Sequence, residues 1–160
     1  MIEAISNTSP LLYLHRIGAL EWLPRLFERV LVPLAVVEEL DAGAAQGHDV
    51  PDVRQLQWAE IVACRDVLLE AVGSELGPGE LAVLSLASRR PGCTAIVDDR
   101  QARQAASRAG IAVIGTLGVM LRAKEAGLVG QLEPFVDALS AAGMWMSPQI
   151  RGRILALADE

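Results

Sequence analysis

The sequence predicts an α/β fold: a mainly parallel sheet covered by helices on both faces. Short apolar, β-branched runs such as Val30–Val32, Ala95–Val97 and Ile111–Ile114 read as strands. They alternate with longer helical-looking segments, the order that βαβ units give. The chain is 52% apolar but only 4% aromatic, so its core is built from Leu, Val, Ile and Ala.

Met1 to Ser6 reads as the first strand rather than a signal peptide, since MIEAISNTSP has no basic segment and places Glu3 in its apolar start. Asn7-Thr8-Ser9 is a polar turn. Pro10 suits the first position of a helix, with Ser9 as N-cap for Leu11 to Ile17. Gly18 ends that helix, and Ala19 to Glu28 reads as a second with a boundary or kink at Pro24. Val30 to Val32 is a strand, and Pro33 starts the helix Leu34 to Asp41, which carries Glu38 and Glu39.

Ala42 to Asp52 is rich in glycine and small or polar residues and reads as a surface loop. Val53 to Trp58 reads as a short helix, Glu60 to Ala63 as a strand and Asp66 to Val72 as another short helix. The turn Leu76-Gly77-Pro78-Gly79-Glu80 opens the apolar helix Leu81 to Ser88. Ala95 to Val97 is the central strand and runs into Asp98 and Asp99, after which Arg100 to Ala109 is helical. Ile111 to Ile114 is a strand, and Gly115-Thr116 turns into the helix Leu117 to Ala126. Leu132 to Ala142 and Gln149 to Ala158 complete the helices, the last capped by Ser147-Pro148.

At 160 residues the chain reads as one domain. No apolar run reaches 18 residues without a charge, which argues against a membrane span. Cys64 and Cys93 lack CxxC spacing and read as reduced thiols of a cytoplasmic protein. A net charge of −6 argues against broad attraction to a nucleic-acid backbone but leaves room for a local basic patch. His15 and His48 have no partner at metal-ligand spacing. LGPGE lacks the lysine of a phosphate-cradling P-loop. Trp22, Trp58 and Trp145 are scattered and suggest no stacking platform, and Met144-Trp145-Met146 reads as core or as a subunit contact.

Four polar or acidic places end or follow apolar segments: Asn7 to Ser9, Glu38-Glu39, Glu80, and Asp98-Asp99. In a parallel sheet the first and last share the carboxyl edge, where ligands of open α/β sheets bind. Gathered carboxylates repel one another, and a hard divalent cation relieves that cost. Mg²⁺ or Mn²⁺ takes oxygen ligands, keeps several waters and suits phosphodiester hydrolysis. Each place also has a structural reading. Asp98 and Asp99 suit a helix N-cap, Glu80 a helix first turn, and Asn7 to Ser9 a turn. Glu38 and Glu39 point about 100° apart, so one of them is ordinary surface. Arg103, a turn beyond Asp99, is placed for a phosphate, a site carboxylate or a surface ion pair.

The runs SNTSPL (Ser6 to Leu11), VPLAVVEEL (Val32 to Leu40), LGPGELAVLSLA (Leu76 to Ala87), AIVDDRQARQAA (Ala95 to Ala106) and VIGTLGVMLRAKEAGLV (Val113 to Val129) together resemble a PIN-like domain, in the branch with a SNTSPL-type start. The resemblance implies a Rossmann-like three-layer α/β/α sandwich. It implies a metal-dependent ribonuclease acting on single-stranded RNA, as in the toxins of toxin–antitoxin pairs, with an antitoxin protein as partner and a homodimer as assembly. Its acids fall on Glu39, Glu80 and either Asp98 or Asp99, with Asp99 slightly favoured, and these would hold Mg²⁺ or Mn²⁺. The acid that follows the family's first strand is replaced here by Asn7, which offers an oxygen without a charge. Thr8 and Ser9 would order water or substrate, and Arg100 and Arg103 would meet phosphate. The replacement at Asn7 motivates a second reading, a catalytically weak or inactive module that binds nucleic acid or protein. A flavodoxin-like nucleotide binder is a third, for which Asn7-Thr8-Ser9-Pro10 supplies little.

Overall fold

The computed structural model describes residues 2–64 and 76–160. Its five strands are β1 (Glu3–Ser6), β2 (Arg29–Pro33), β3 (Ala59–Val62), β4 (Thr94–Ile96) and β5 (Ala112–Ile114). They form one sheet in the order β3-β2-β1-β4-β5, with every neighbouring pair parallel. Eight α-helices among the described residues cover it: α1 (Thr8–Arg16), α2 (Trp22–Leu26), α3 (Leu34–Ala45), α4 (Pro78–Ser88), α5 (Arg100–Arg108), α6 (Thr116–Glu125), α7 (Glu133–Ala141) and α8 (Pro148–Leu157). This is the three-layer α/β/α arrangement expected from the sequence. The helix expected over Asp66 to Val72 lies outside the described residues.

The chain steps outward from β1 through β2 to β3, then crosses back to build β4 and β5 on the other side of β1. Strand order therefore reverses between β1 and β4, and the crevice beyond their carboxyl ends is the place where such sheets bind ligands. In register, Ser6 lies opposite Ile96, so Asn7 and Val97 leave the sheet side by side. β1 rather than the strand before Asp98 is the centre of the sheet. Interior parallel strands meet side chains on both faces, which is why Ala4, Ile5, Val30, Leu31, Val32, Ala95 and Ile96 are all apolar and buried. Leu11, Leu14, Phe27, Leu84, Met120 and Leu139 pack around them, each worth about 1.5–3 kcal/mol for full burial. No helix among the described residues is long and apolar enough to cross a membrane.

Several boundaries differ from the sequence reading. The first helix starts at Thr8, with Asn7 rather than Ser9 at the N-cap, because the backbone turns helical directly off β1. Pro10 is then the third helical residue, where no intrahelical N–H bond is lost. The second helix shortens to Trp22–Leu26, and Pro24 sits in its first turn without a kink to make. α3 runs through Gly43 to Ala45, past the expected end at Asp41: small residues carry a helix where no side chain must pack outward. Val53–Gln55 is a single 3-10 turn rather than a helix to Trp58.

The C-terminal helix is well tied down. Arg151 of α8 pairs with Asp137 and Glu133 of α7 at 2.9 and 3.2 Å. The Glu160 carboxylate accepts the Leu132 and Glu133 N–H groups at the start of α7, at 2.7 and 3.0 Å. Ser147 Oγ accepts the Ile150 N–H at 3.2 Å and so caps α8, as the sequence predicts. Ser147→Ala is expected to cost about 1 kcal/mol. A thermal melt should fall by roughly 2–4 °C. An unchanged melting temperature would mean that the cap contributes nothing to folding.

Candidate active site

Two loops leave the sheet at the point where strand order reverses. The Asn7 N–H donates to the Ile96 carbonyl at 3.0 Å, which extends the β1–β4 pairing by one residue. Asn7 is 5% exposed, and its Oδ1 has no hydrogen-bond donor among the described residues. An unpaired buried acceptor costs about 1–3 kcal/mol, so a donor or a cation is wanted there. On the other side, the Val97 N–H donates to the Ile114 carbonyl at 2.8 Å and holds the start of the Asp98-Asp99 turn against β5.

The paired glutamates of α3 are distinguished by their surroundings. Glu38 is exposed, whereas Glu39 is half-buried. Glu39 Oε2 accepts the Thr8 hydroxyl at 2.5 Å, and its Oε1 accepts the Gly79 N–H at 2.9 Å. One carboxylate thus ties the start of α1 to the start of α4. Gly79 is needed for this, since a Cβ there would lie 2.7–2.9 Å from the Glu39 carboxylate. Glu80 follows directly. Its Oε2 accepts the Gly77 N–H at 2.6 Å, the capping contact expected of an acid in a helix first turn, while its Oε1 has no protein donor among the described residues.

Asp98 and Asp99 separate in the same way. Asp99 is exposed and caps α5, its Oδ2 accepting the Ala102 N–H at 2.9 Å. Asp98 is more enclosed and accepts both the N–H and the hydroxyl of Thr116, each at 2.7 Å. Burial pushes its carboxyl above the usual carboxylate range, opposed by these two hydrogen bonds and by the Arg103 guanidinium. Gly115 lets the two segments approach: a Cβ there would lie 2.8 Å from Asp98 Oδ1.

Ser9, Glu80, Asp98, Asp99 and Arg103 line one cavity of about 720 Å³. Glu39 and Thr8 are linked to its rim through Gly79, the residue before Glu80. Arg100 faces a neighbouring hollow of about 680 Å³, shared with Asp98, Arg103 and Arg108. The remaining polar groups singled out above lie elsewhere. His15 pairs with Asp49 at 2.9 Å, His48 is in a loop, Cys64 is half-buried and Cys93 is buried.

Sequence reasoning did not find Thr116, Gly79, Tyr13, Trp145 or Arg153. Thr116 was findable: it follows β5 on the same sheet edge as Asn7 and Asp98. Tyr13, Trp145 and Arg153 reach the cavity only through tertiary packing.

The donor set suits a hard divalent cation. It is all oxygen, with no His or Cys, as Mg²⁺ and Mn²⁺ prefer. Among the described residues no three Asp, Glu, His or Cys side chains stand close enough to grip one ion directly. The arrangement therefore fits a hydrated hard ion held by one or two carboxylates, not a closed protein cage. The unengaged oxygens of Glu80 and Asp99, which line the cavity, are the groups such a hydrated ion would satisfy; the buried Asn7 Oδ1 is not part of that lining.

Compared with known protein families, the chain matches the model described as PIN domain over residues 3–160. No curated protein matches it.

Proposed function

Because the chain belongs to the PIN domain family, we propose that it is a metal-dependent ribonuclease that hydrolyses phosphodiester bonds of single-stranded RNA. The observation that carries the reading is the meeting of acids from three separate segments at one sheet edge. Glu39 is bonded beside Glu80, and Glu80, Asp98 and Asp99 line one cavity at the point where strand order reverses. Each acid also makes a contact within the fold, but together they set like charges around one hollow, and a cation offsets that repulsion.

One or two of the carboxylates Glu39, Glu80, Asp98 and Asp99 would hold the hydrated ion directly, and the others would accept from its waters. When bound, Mg²⁺ or Mn²⁺ supplies a Lewis acid for the phosphate oxygens and an acidified water. The chain's own residues do the rest. Thr8 and the Gly79 N–H fix the Glu39 carboxylate, and Thr116 fixes that of Asp98, each leaving further lone pairs for the site. Glu80 Oε1, when it is not on the ion, would accept the proton of an attacking water, and Arg103 would neutralise a phosphate oxygen. The same reading extends to a toxin role with an antitoxin protein as partner, and to a homodimer in the cytoplasm.

One observation favours a second reading, a binding module with weak or no catalysis. Asn7 stands where the family has an acid, and both oxygens of Glu39 and of Asp98 already accept protein hydrogen bonds. Calorimetric titration with Mn²⁺, run beside an RNA cleavage assay with and without EDTA, separates the two. The nuclease reading expects saturable Mn²⁺ binding and cleavage of single-stranded RNA that EDTA stops. No heat and no cleavage would leave the binding module.

A further inference from the structure

The 720 Å³ cavity is lined by more than its acids. Part of its lining comes from α8 and the segment before it. Ile150, Arg153, Ile154 and Leu157 recur at helical spacing on one face of α8, and Trp145 stands beside them. Trp145 is 83% exposed, the most exposed large apolar side chain among the described residues, and Leu157 is 62% exposed. The sequence reading suggests no stacking platform from three scattered tryptophans; Trp145 alone of them lines this cavity. Met144 and Met146 pack partly into the core and leave the indole between them exposed, and the half-buried Tyr13 lines the same cavity.

An apolar wall alone does not distinguish a nucleobase from a protein helix, but charge does. Arg153 and Arg103 line the same cavity, and among the described residues neither closes an ion pair. In a chain of net charge −6 these two cations share the cavity lining with the exposed indole and with Glu80, Asp98 and Asp99. Anionic phosphates alternating with flat apolar rings are what single-stranded nucleic acid presents, and base stacking on an aromatic side chain is tolerant of sequence. We propose that this wall positions the substrate: a base next to the cleaved phosphodiester stacks on Trp145, and Arg153 and Arg103 meet the flanking phosphates. The proposal rests on the nuclease reading for its substrate class. It also explains why the C-terminal helix is pinned by Arg151 and Glu160, since a platform must be rigid to orient a base.

The test is direct binding of a short, labelled oligouridylate, followed by polarisation and by tryptophan emission. It is run in EDTA, and again in Mn²⁺ on a Glu80→Gln background. Trp145→Ala is expected to weaken binding roughly tenfold. Trp145→Phe should retain binding within about threefold yet lose most of the RNA-induced quenching, since Trp22 is buried and Trp58 hydrogen-bonds Glu21 elsewhere. A merely structural role for Trp145 does not produce that split. Arg153→Gln should weaken binding and flatten its salt dependence. Unchanged affinity in Trp145→Ala, or no binding by the parent chain in either condition, overturns the proposal. So does a change of oligomeric state in Trp145→Ala with RNA affinity intact, which would make the wall a protein interface. RNA binding through Trp145 by a chain that never cleaves RNA would retire the nuclease reading and keep the platform. Cleavage that is indifferent to Trp145 would do the reverse.

Discussion

Asp98→Asn is expected to give a protein that is folded, more heat-stable than the parent at neutral pH, and inert. The stability half follows from the carboxylate's surroundings. Desolvation raises the Asp98 carboxyl above its ordinary range despite two hydrogen bonds from Thr116 and the nearby Arg103 charge. A raised folded-state value means that the fold favours the neutral acid. Its contribution is fully favourable below the unfolded carboxyl's titration, near 3.8, and is lost as pH rises through the higher folded value. At pH 7 the ionised group is therefore a net cost of folding. An asparagine removes that cost and keeps both contacts: its Oδ1 accepts the Thr116 N–H, and its Nδ2 donates to the Thr116 hydroxyl. Melts in EDTA should show the variant above the parent at pH 7, with the gap closing towards pH 4. The activity half follows from the lost charge. Mn²⁺-dependent RNA cleavage should fall on the order of 100-fold or more. Mn²⁺ should raise the parent's melting temperature more than the variant's, since binding to the folded state alone stabilises it. A variant that melts lower at pH 7 would refute the burial argument. One that cleaves normally would remove Asp98 from the site.

The sequence and the structure agree on several elements that a local signal sets, though not on the Ser9-Pro10 cap. Continuous apolar runs specify β1, β2 and β4, because strands flanked on both sides in a parallel sheet have no solvent face to leave polar. Ser147-Pro148 marks the start of α8, because the cap needs only the N–H three residues on. Choices between neighbours could not be read locally. Asp98 and Asp99 are chemically identical and adjacent. What separates them is that Asp99 finds a donor three residues away in its own helix, whereas Asp98 finds both of its donors on Thr116, eighteen residues later. Glu39 differs from Glu38 through contacts with Thr8 and Gly79, some thirty and forty residues distant. The place of Trp145 depends on how α8 lies against the rest of the chain, and periodicity carries no information about that.

Gly79→Ala is the sharpest probe of that long-range assembly, because it changes no chemical group of the site. The backbone tolerates alanine: Gly79 is the second residue of α4, and alanine is favoured over glycine in a helix by up to about 1 kcal/mol. The new methyl would stand 2.7, 2.8 and 2.9 Å from Oε2, Oε1 and Cδ of Glu39, so the carboxylate must swing away. It would then lose the Thr8 hydroxyl and the Gly79 N–H together. Because the displaced atoms end a flexible side chain, the clash is relieved by rotation rather than by backbone strain. The gain in helix propensity offsets much of the loss of two hydrogen bonds, and stability should change by no more than about 1 kcal/mol. Function has no such compensation, since misplacing a positioned group by about 1 Å costs on the order of 100-fold. Gly152→Ala, where a Cβ meets nothing within 4 Å, serves as the control for a glycine-to-alanine change in a helix and should leave cleavage unaltered. A double-mutant cycle with Glu39→Gln completes the case. If Gly79 acts only through Glu39, adding Gly79→Ala to Glu39→Gln should lower cleavage no further. A full additional loss would place the effect elsewhere on α4, and wild-type cleavage by Gly79→Ala alone would show that the position of Glu39 does not matter to the reaction.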